Sequence, residues 1–423
     1  MTTRKIAIAC QGGGAHAAFT WGVMTEILKT KKAWSADADG ATPFEFVAFS
    51  GTSAGALCAL AAWYGLTPNL TDADCGTVDK AVDCLDRLWT TFAATTPIEH
   101  AHNNFVQQYF RLKAQGLPFA DFGPYAACRD VALTGLSLFG ARSPYLGFPD
   151  LLEIVCPHFS SIDWPAVAKS HLRIVVGAIE VLSGNFEVFD SEKTLREMGL
   201  ASISKAVDQY SHTRWRMRRS LSLAGVAASG TLPEVLRAQT IEGLVFPSCE
   251  PGATVQRDGL YWDGLYSQNP PVRDFLDVET RDNKPDEIWV IRINPQEYHL
   301  GPQLGLEDIR DRANALAGNL SLNQELDYVL TVNDWLDKYG DESPPLNQCK
   351  TIDVRTIKMT RETAYGLCQT SKLDRSPRHL EALCSEGRQV AEQWLGDWRA
   401  RGPAFATYPN DARYPKSNGV HPL

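Results

Sequence analysis

The sequence predicts an α/β protein built on a central, mostly parallel sheet, with a mainly helical C-terminal extension. Two observations carry that expectation. Twice near the N-terminus, a short apolar run leads into a glycine-containing turn and then into an apolar stretch at helical spacing, the opening pattern of a parallel sheet. From about residue 301 the texture changes to long helical patterns, near 306–337 and 376–400, around one strand-like run from Ile352 to Met359. A chain of 423 residues can bury one large core, as one big domain or as a domain plus an extension.

In order along the chain, Ile6 to Cys10 is apolar and partly β-branched, a buried strand. Gly12-Gly13-Gly14 follows, and then a helix from about Ala15 to Lys32. Phe19, Val23, Met24, Ile27 and Leu28 recur at helical spacing, while Lys29, Lys31 and Lys32 complement the negative end of the helix dipole. Phe44 to Ser50 is a second strand, and Ala54 to Gly65 a second helix. Between them lies Gly51-Thr52-Ser53-Ala54-Gly55. G-x-S-x-G on a strand-to-helix turn is a nucleophile elbow, where two glycines permit a tight turn that exposes the serine Oγ.

Residues 66–100 are mostly polar, with one helix near Asp79–Ala93. Residues 97–150 are rich in aromatics, among them Phe105, Tyr109, Phe110, Phe119, Phe122, Tyr125, Phe139, Tyr145 and Phe148. Most read as core packing; as a group they also suit a cap lining an apolar site. Leu172 to Ile179 is a buried strand, followed by a Ser183-Gly184-Asn185 turn into Phe186 to Phe189. The basic stretch His212 to Arg219 reads as a helix. It is either a solvated face or, with Arg214, Arg216, Arg218 and Arg219 beside Trp215, a contact for an anionic membrane. Val255 to Tyr261 and Ile288 to Ile293 read as strands, and the last ~20 residues as a loosely held tail.

The net charge of −9 argues against broad nucleic-acid affinity, which needs a basic footprint. The ten cysteines form no C-x-x-C and none sits beside a histidine at zinc spacing, so they read as thiols of a reducing compartment. There is no H-E-x-x-H and no EF-hand-like loop, so neither metal nor cofactor is expected. The start is not a signal peptide and no run reaches the ~18 apolar residues of a membrane span. The expectation is a soluble, cytoplasmic protein.

Gly12-Gly13-Gly14-Ala15-His16-Ala17 formally fits the dinucleotide fingerprint, but the second strand ends in Ser50-Gly51-Thr52-Ser53 with no acid to hold a ribose. The competing reading is an oxyanion loop: side-chain-free residues let a substrate carbonyl approach the backbone amides. Ser53 also needs a base. None of the nine histidines stands in a turn matching a catalytic one. Asp263 follows the aromatic pair Tyr261-Trp262 and precedes Gly264, surroundings that desolvate a carboxylate and raise its proton affinity. Taken alone, Asp-Gly is an ordinary turn.

Taken together, five segments in order resemble the patatin-like phospholipase family, specifically its bacterial branch, over about residues 4–300. They are Q-G-G-G-A-H-A-A-F-T-W-G-V at 11–23, S-G-T-S-A-G-A at 50–56, A-A-S-G-T-L-P at 227–233, Y-W-D-G-L-Y-S-Q-N-P at 261–270 and I-R-I-N-P at 291–295. The resemblance implies a three-layer α/β/α catalytic domain over 4–300, with 97–150 as its cap and 301–423 as a helical extension packed on it. It implies a Ser–Asp dyad without histidine, in which Ser53 is the nucleophile and Asp263 its base. Gly12, Gly13 and Gly14, with the N–H of Ala54, would form the oxyanion hole. The activity implied is hydrolysis of lipid or phospholipid acyl esters, of phospholipase A or lysophospholipase type, with peripheral membrane contact. The alternative is a catalytically silent lipid-binding protein on the same fold. Two departures from the family pattern bear on this. Ala17 stands where glycine is usual and would narrow the space near the loop. Leu265 follows Asp-Gly where glycine or alanine is usual, and would be strained if the position needs positive φ.

Overall fold

The computed structural model describes residues 3–35, 44–70, 72–117, 123, 125–159, 162–201, 216–248, 253–277, 281–296, 306–342 and 344–410. Among them, nine strands form one mixed sheet. They are β1 (Arg4–Cys10), β2 (Phe44–Gly51), β3 (Arg173–Glu180), β4 (Phe186–Asp190), β5 (Arg216–Ser220), β6 (Gln239–Pro247), β7 (Thr254–Asp263), β8 (Glu287–Arg292) and β9 (Asp353–Lys358). The order is β5-β4-β3-β2-β1-β8-β9, with β7 pairing β3 and β6 pairing β7. β9, β8, β1, β2 and β3 run parallel to one another. β3 is antiparallel to both β4 and β7.

The central strands are apolar at consecutive positions because both faces are covered. From β1, Ile6, Ile8 and Cys10 enter one buried cluster and Ala7 and Ala9 the other, as a period of two requires. The first face is covered by α1 (Ala18–Ser35), α2 (Ala54–Leu66) and α3 (Val78–Phe92). Next come α4 (Pro97–Ala114), α5 (Ala127–Leu138), α6 (Phe148–Val155), α7 (Trp164–Ser170), α8 (Ser191–Glu197) and α9 (Leu223–Ser229). α10 (Leu306–Tyr339) covers the second face, where Leu322, Leu326 and Val329 pack on Ala7, Ile288 and Val290. The short α11 (Arg361–Gly366) and α12 (Gln369–Lys372) precede α13 (Pro377–Arg401), which packs along α1. The result is an α/β/α sandwich in which C-terminal residues contribute a strand as well as helices.

The local signals explain the boundaries. Three glycines followed by alanines give a 3-10 turn over Gly14–Ala17 before α1 begins, three residues later than the periodicity predicts. In the aromatic-rich stretch, α4 opens on a capping box in which Thr96 and Glu99 satisfy each other's backbone amides. Glu287, fully buried, holds the C-terminal part to the sheet. It accepts from Arg355 Nε at 2.8 Å, Trp289 Nε1 at 2.8 Å and Trp398 Nε1 at 2.9 Å, under a cluster of tilted and edge-to-face Trp and Phe rings.

The basic stretch differs from expectation. Arg216 to Ser220 is the strand β5, not a helix, and its arginines face carboxylates, not lipid. Arg216 and Arg218, two apart and therefore on one side of the strand, both donate to Asp274. Arg219, on the other side, donates to Glu187 at 2.8 and 3.1 Å. Strand pairing with β4 and buried ion pairing override the helical reading. His212, Thr213, Arg214 and Trp215 lie outside the described residues, as do Phe119, Phe122 and the end of the tail from residue 411.

Burial alone would raise the pKa of Asp274, but Arg216, Arg218 and Arg173 outweigh it and hold the carboxyl well below the usual range. Arg173 also binds Asp190 through two bonds of 3.0 and 2.6 Å. Removing one partner leaves buried, uncompensated guanidinium groups. Asp274→Ala is therefore expected to lower stability by about 3–5 kcal/mol, read as a reduced denaturant midpoint in equilibrium unfolding. A midpoint within error of wild type would show that the network carries no such load.

Candidate active site

β2 enters the elbow at Gly51, and Ser53 sits at φ 56°, ψ −132°, a region that non-glycine residues rarely occupy, at a cost of about 1–3 kcal/mol. The surroundings enforce it. A Cβ on Gly51 would lie 2.5 Å from Gly55 O, and one on Gly55 would lie 2.4 Å from Cys10 O, so only glycine fits at either place. Ser53 O accepts from the amides of Ala56 at 2.9 Å and Leu57 at 3.2 Å, locking the turn into the buried helix α2. Ser53 N–H donates to Ser229 Oγ at 3.0 Å, and Thr52 Oγ1 donates to Gln268 O at 2.5 Å.

Asp263 arrives from the far side of the sequence on β7. The two edges of β3 explain the meeting. β4 occupies one edge, pairing with residues from Val175 to Ile179. The other edge carries β2 as far as Gly51, opposite Val176, and then β7, whose Asp263 is opposite Ala178. The ends of β2 and β7 thus sit two residues apart on one edge, about 7 Å along the strand. Ser53 extends from one and Asp263 terminates the other. The Asp263 carboxylate faces the Ser53 side chain, close enough for the hydroxyl to favour its charged form, and its Oδ1 accepts from Leu265 N–H at 2.8 Å. Its backbone N–H donates to Thr231 O at 2.9 Å.

Asp263 is 3% exposed. Burial pushes its carboxyl up to about 7, with the Leu265 amide and the Ser53 hydroxyl pulling back only partly. Among the described residues, no histidine lines the cavity above the two side chains. His16, the histidine of the glycine loop, points elsewhere. Its Nε2 lies 2.7 Å from Ser371 Oγ, its ring meets His379, and burial holds its pKa well below the ordinary value.

The glycine loop lies beside the elbow. Gly12, expected among the oxyanion donors, has its N–H committed to Asn269 Oδ1 at 2.7 Å. Its carbonyl accepts from Asn294 Nδ2 at 2.8 Å. Gln11 Oε1 accepts from the amides of Ile293 and Asn294 at 3.0 and 2.9 Å. Gly12 is an anchor of the loop. Gly13, Gly14 and Ala54 line the cavity, and among the described residues their amides donate to no protein acceptor. Ser229, Asn269 and Asn294 lie inside the sequence segments that carry the family resemblance, but nothing in the chain order shows what they hold.

The cavity has a volume of about 120 Å³. Its walls are mainly apolar, with Leu57, Trp89, Phe92, Tyr145, Phe148 and Val235 among them. One corner is polar: Asp311 and Asn314 from α10, and Lys372 from α12, which pairs with Asp311. Leu265 also lines the cavity and is unstrained, since Ser53 and His171 are the positive-φ non-glycine residues among those described. The tight position is Gly264, where a Cβ would lie 2.3 Å from Gly177 O. Ala17 is fully buried in the core and does not line the cavity.

A family model for patatin-like phospholipase matches residues 8–276. No curated protein matches the chain.

The raised Asp263 pKa has a stability signature. The folded state holds this proton up to about pH 7, whereas the unfolded chain releases it near the ordinary carboxylate value of about 4. Protonation therefore favours the fold below about pH 4, and that contribution is lost as pH rises to about 7. Asp263→Asn removes the loss. Its melting temperature should gain on wild type steadily between about pH 4 and 7 and hold that gain above, measured by calorimetry across the range. Parallel curves would contradict a dry Asp263.

Proposed function

The chain belongs to the patatin-like phospholipase family, and from that premise we propose that it is a lipid acyl hydrolase working through a Ser53–Asp263 dyad. The observation that carries the reading is the buried Asp263 carboxylate beside the Ser53 side chain, in a cavity that no histidine lines among the described residues. An ordinary carboxylate is a weak base toward a serine hydroxyl. Desolvation raises its proton affinity and brings it into the range useful near neutral pH.

In this mechanism Ser53 Oγ attacks the ester carbonyl as Asp263 takes its proton. The tetrahedral oxyanion is held by the amides of Gly13, Gly14 and Ala54, aided by the positive N-terminal end of α2. Collapse expels the alcohol portion, which leaves with the proton from Asp263, and Ser53 retains the acyl group. Asp263 then removes a proton from water as it attacks the acyl-enzyme, releasing the fatty acid and restoring the serine. Gly12 serves by fixing the loop through Asn269 and Asn294. The apolar walls suit the acyl chain and the polar corner suits the alcohol portion of a phospholipid or lysophospholipid.

A silent lipid-binding role drew its motive from the long C-terminal extension and from Leu265. That residue donates its amide to Asp263 without backbone strain, which supports the catalytic reading. Among the described residues no helix is long and apolar enough to cross a membrane. The reading places the enzyme in the cytoplasm, meeting lipid at a membrane surface.

Ser53→Ala should abolish ester hydrolysis and fluorophosphonate labelling. Asp263→Asn should lower kcat by roughly 100–10,000-fold. The wild-type kcat/KM should rise with pH through about 7, as Asp263 ionises. Wild-type activity retained by both variants would exclude the dyad.

A further inference from the structure

Beside the catalytic cavity lies a second apolar compartment, between α4 and α5. Phe105 from α4 and Leu133 and Leu136 from α5 line it. Tyr145, Val235 and Leu373 line both spaces, so these three side chains form a common partition. We propose that this compartment holds the methyl end of the acyl chain whose carbonyl Ser53 attacks. The proposal rests on the acyl-hydrolase reading and adds to it the path and the chain-length preference.

Three observations favour that occupant. The polar corner formed by Asp311, Asn314 and Lys372 belongs to the catalytic cavity and does not line the second compartment. An ester held with its alcohol portion at that corner leaves its acyl chain to the apolar walls, to which the shared residues Tyr145, Val235 and Leu373 belong. Within the lining, the Arg129 guanidinium of α5 is committed to Val235 O, fixing the segment after α9 to α5. The Tyr145 ring packs edge-on against His102, at 6.3 Å between centroids, which keeps it at the boundary and out of the space beyond. An unbranched hydrocarbon tail needs no hydrogen bonds and gains affinity from each buried methylene, about fourfold apiece. Among the described residues, the charged groups in the lining are Arg129, already donating to Val235 O, and Glu234, whose carboxylate repels a phosphate head group.

The test fills the compartment without touching the catalytic cavity. Ala132 and Leu133 line the second space and not the first. Ala132→Phe and Leu133→Trp place bulk inside it. With single-chain esters, the ratio of kcat/KM for a palmitoyl ester to that for a butyryl ester should fall by at least about tenfold in either variant, as several methylenes lose their place. A second readout needs no turnover and no variant of the cap. In Ser53→Ala, palmitate should bind far more tightly than octanoate by titration calorimetry. An unchanged ester ratio in folded plug variants would overturn the proposal, and so would equal binding of the two acids. A loss confined to two-chain lipids would overturn it too, by assigning the space to a second chain. Strong palmitate preference without any ester hydrolysis in wild type would sink the acyl-hydrolase reading and leave the compartment standing as a fatty-acyl site.

Discussion

The site depends on the seating of β7 on β3. Ser53 is fixed by neighbours in sequence, but Asp263 reaches it only because β7 takes over the edge of β3 where β2 ends. Two buried acids hold that seat. Glu180 accepts from Arg257 at 2.9 and 3.0 Å and from Leu260 N–H at 3.2 Å. Glu187 accepts from Tyr261 Oη at 2.5 Å and is itself paired with Arg219. Burial opposes the charge of Glu180, yet Arg257, Ser183 and Leu260 outweigh it and hold its carboxyl down at about 2. The contrast with Asp263 is physical. Glu180 is buried with a cation and several donors and stays charged. Asp263 is buried with one amide and one hydroxyl and keeps its proton until near neutrality.

What the sequence made legible was local. A strand, a glycine turn and a helix can be read from a dozen neighbouring residues, and both such units fold as their patterns predict. The two long C-terminal helices were legible for the same reason, as sustained periodicity. Asp263 was singled out only through the ordered family resemblance, since Asp-Gly alone is a turn and its partner is distant in the chain. The role of Gly12 was not legible, because the amide's fate depends on Asn269, a contact that exists only in three dimensions. The strand β5 was misread because alternating arginines satisfy a helical and an extended reading alike, and the deciding groups, Asp274 and Glu187, lie on other segments.

The family match ends at residue 276, but the sheet and the cavity continue beyond it. β8 and β9 extend the sheet on the far side of β1, and α10 covers the face that the first helices leave open. Near the site the dependence is closer still. A Cβ on Gly14 would lie 2.5 Å from Lys372 O, so the glycine loop and α12 are packed backbone to backbone. Gln107 Nε2 donates to Thr370 O at 3.0 Å and Asn103 Nδ2 to Asp374 at 3.0 Å, tying α4 to the same C-terminal segment. α4 and the C-terminal segment therefore brace each other beside the cavity, whose lining includes Gln369, Lys372 and Leu373 of that segment.

The proposed dyad without histidine imposes a condition on that cavity. An imidazole is basic near neutral pH in water, whereas a carboxylate becomes so only when water is kept from it. The strength of Asp263 as a base is thus a property of the walls around it. An acyl chain that fills the apolar space displaces water from Asp263 and from the donors of the glycine loop, where each electrostatic interaction gains strength as the medium becomes less polar. A short or polar ester leaves the space wet and the carboxylate weaker. In the proposed mechanism, preference for lipid therefore arises twice: once from the affinity of the chain for the walls, and again from the basicity that the bound chain confers on the residue that must take the serine proton.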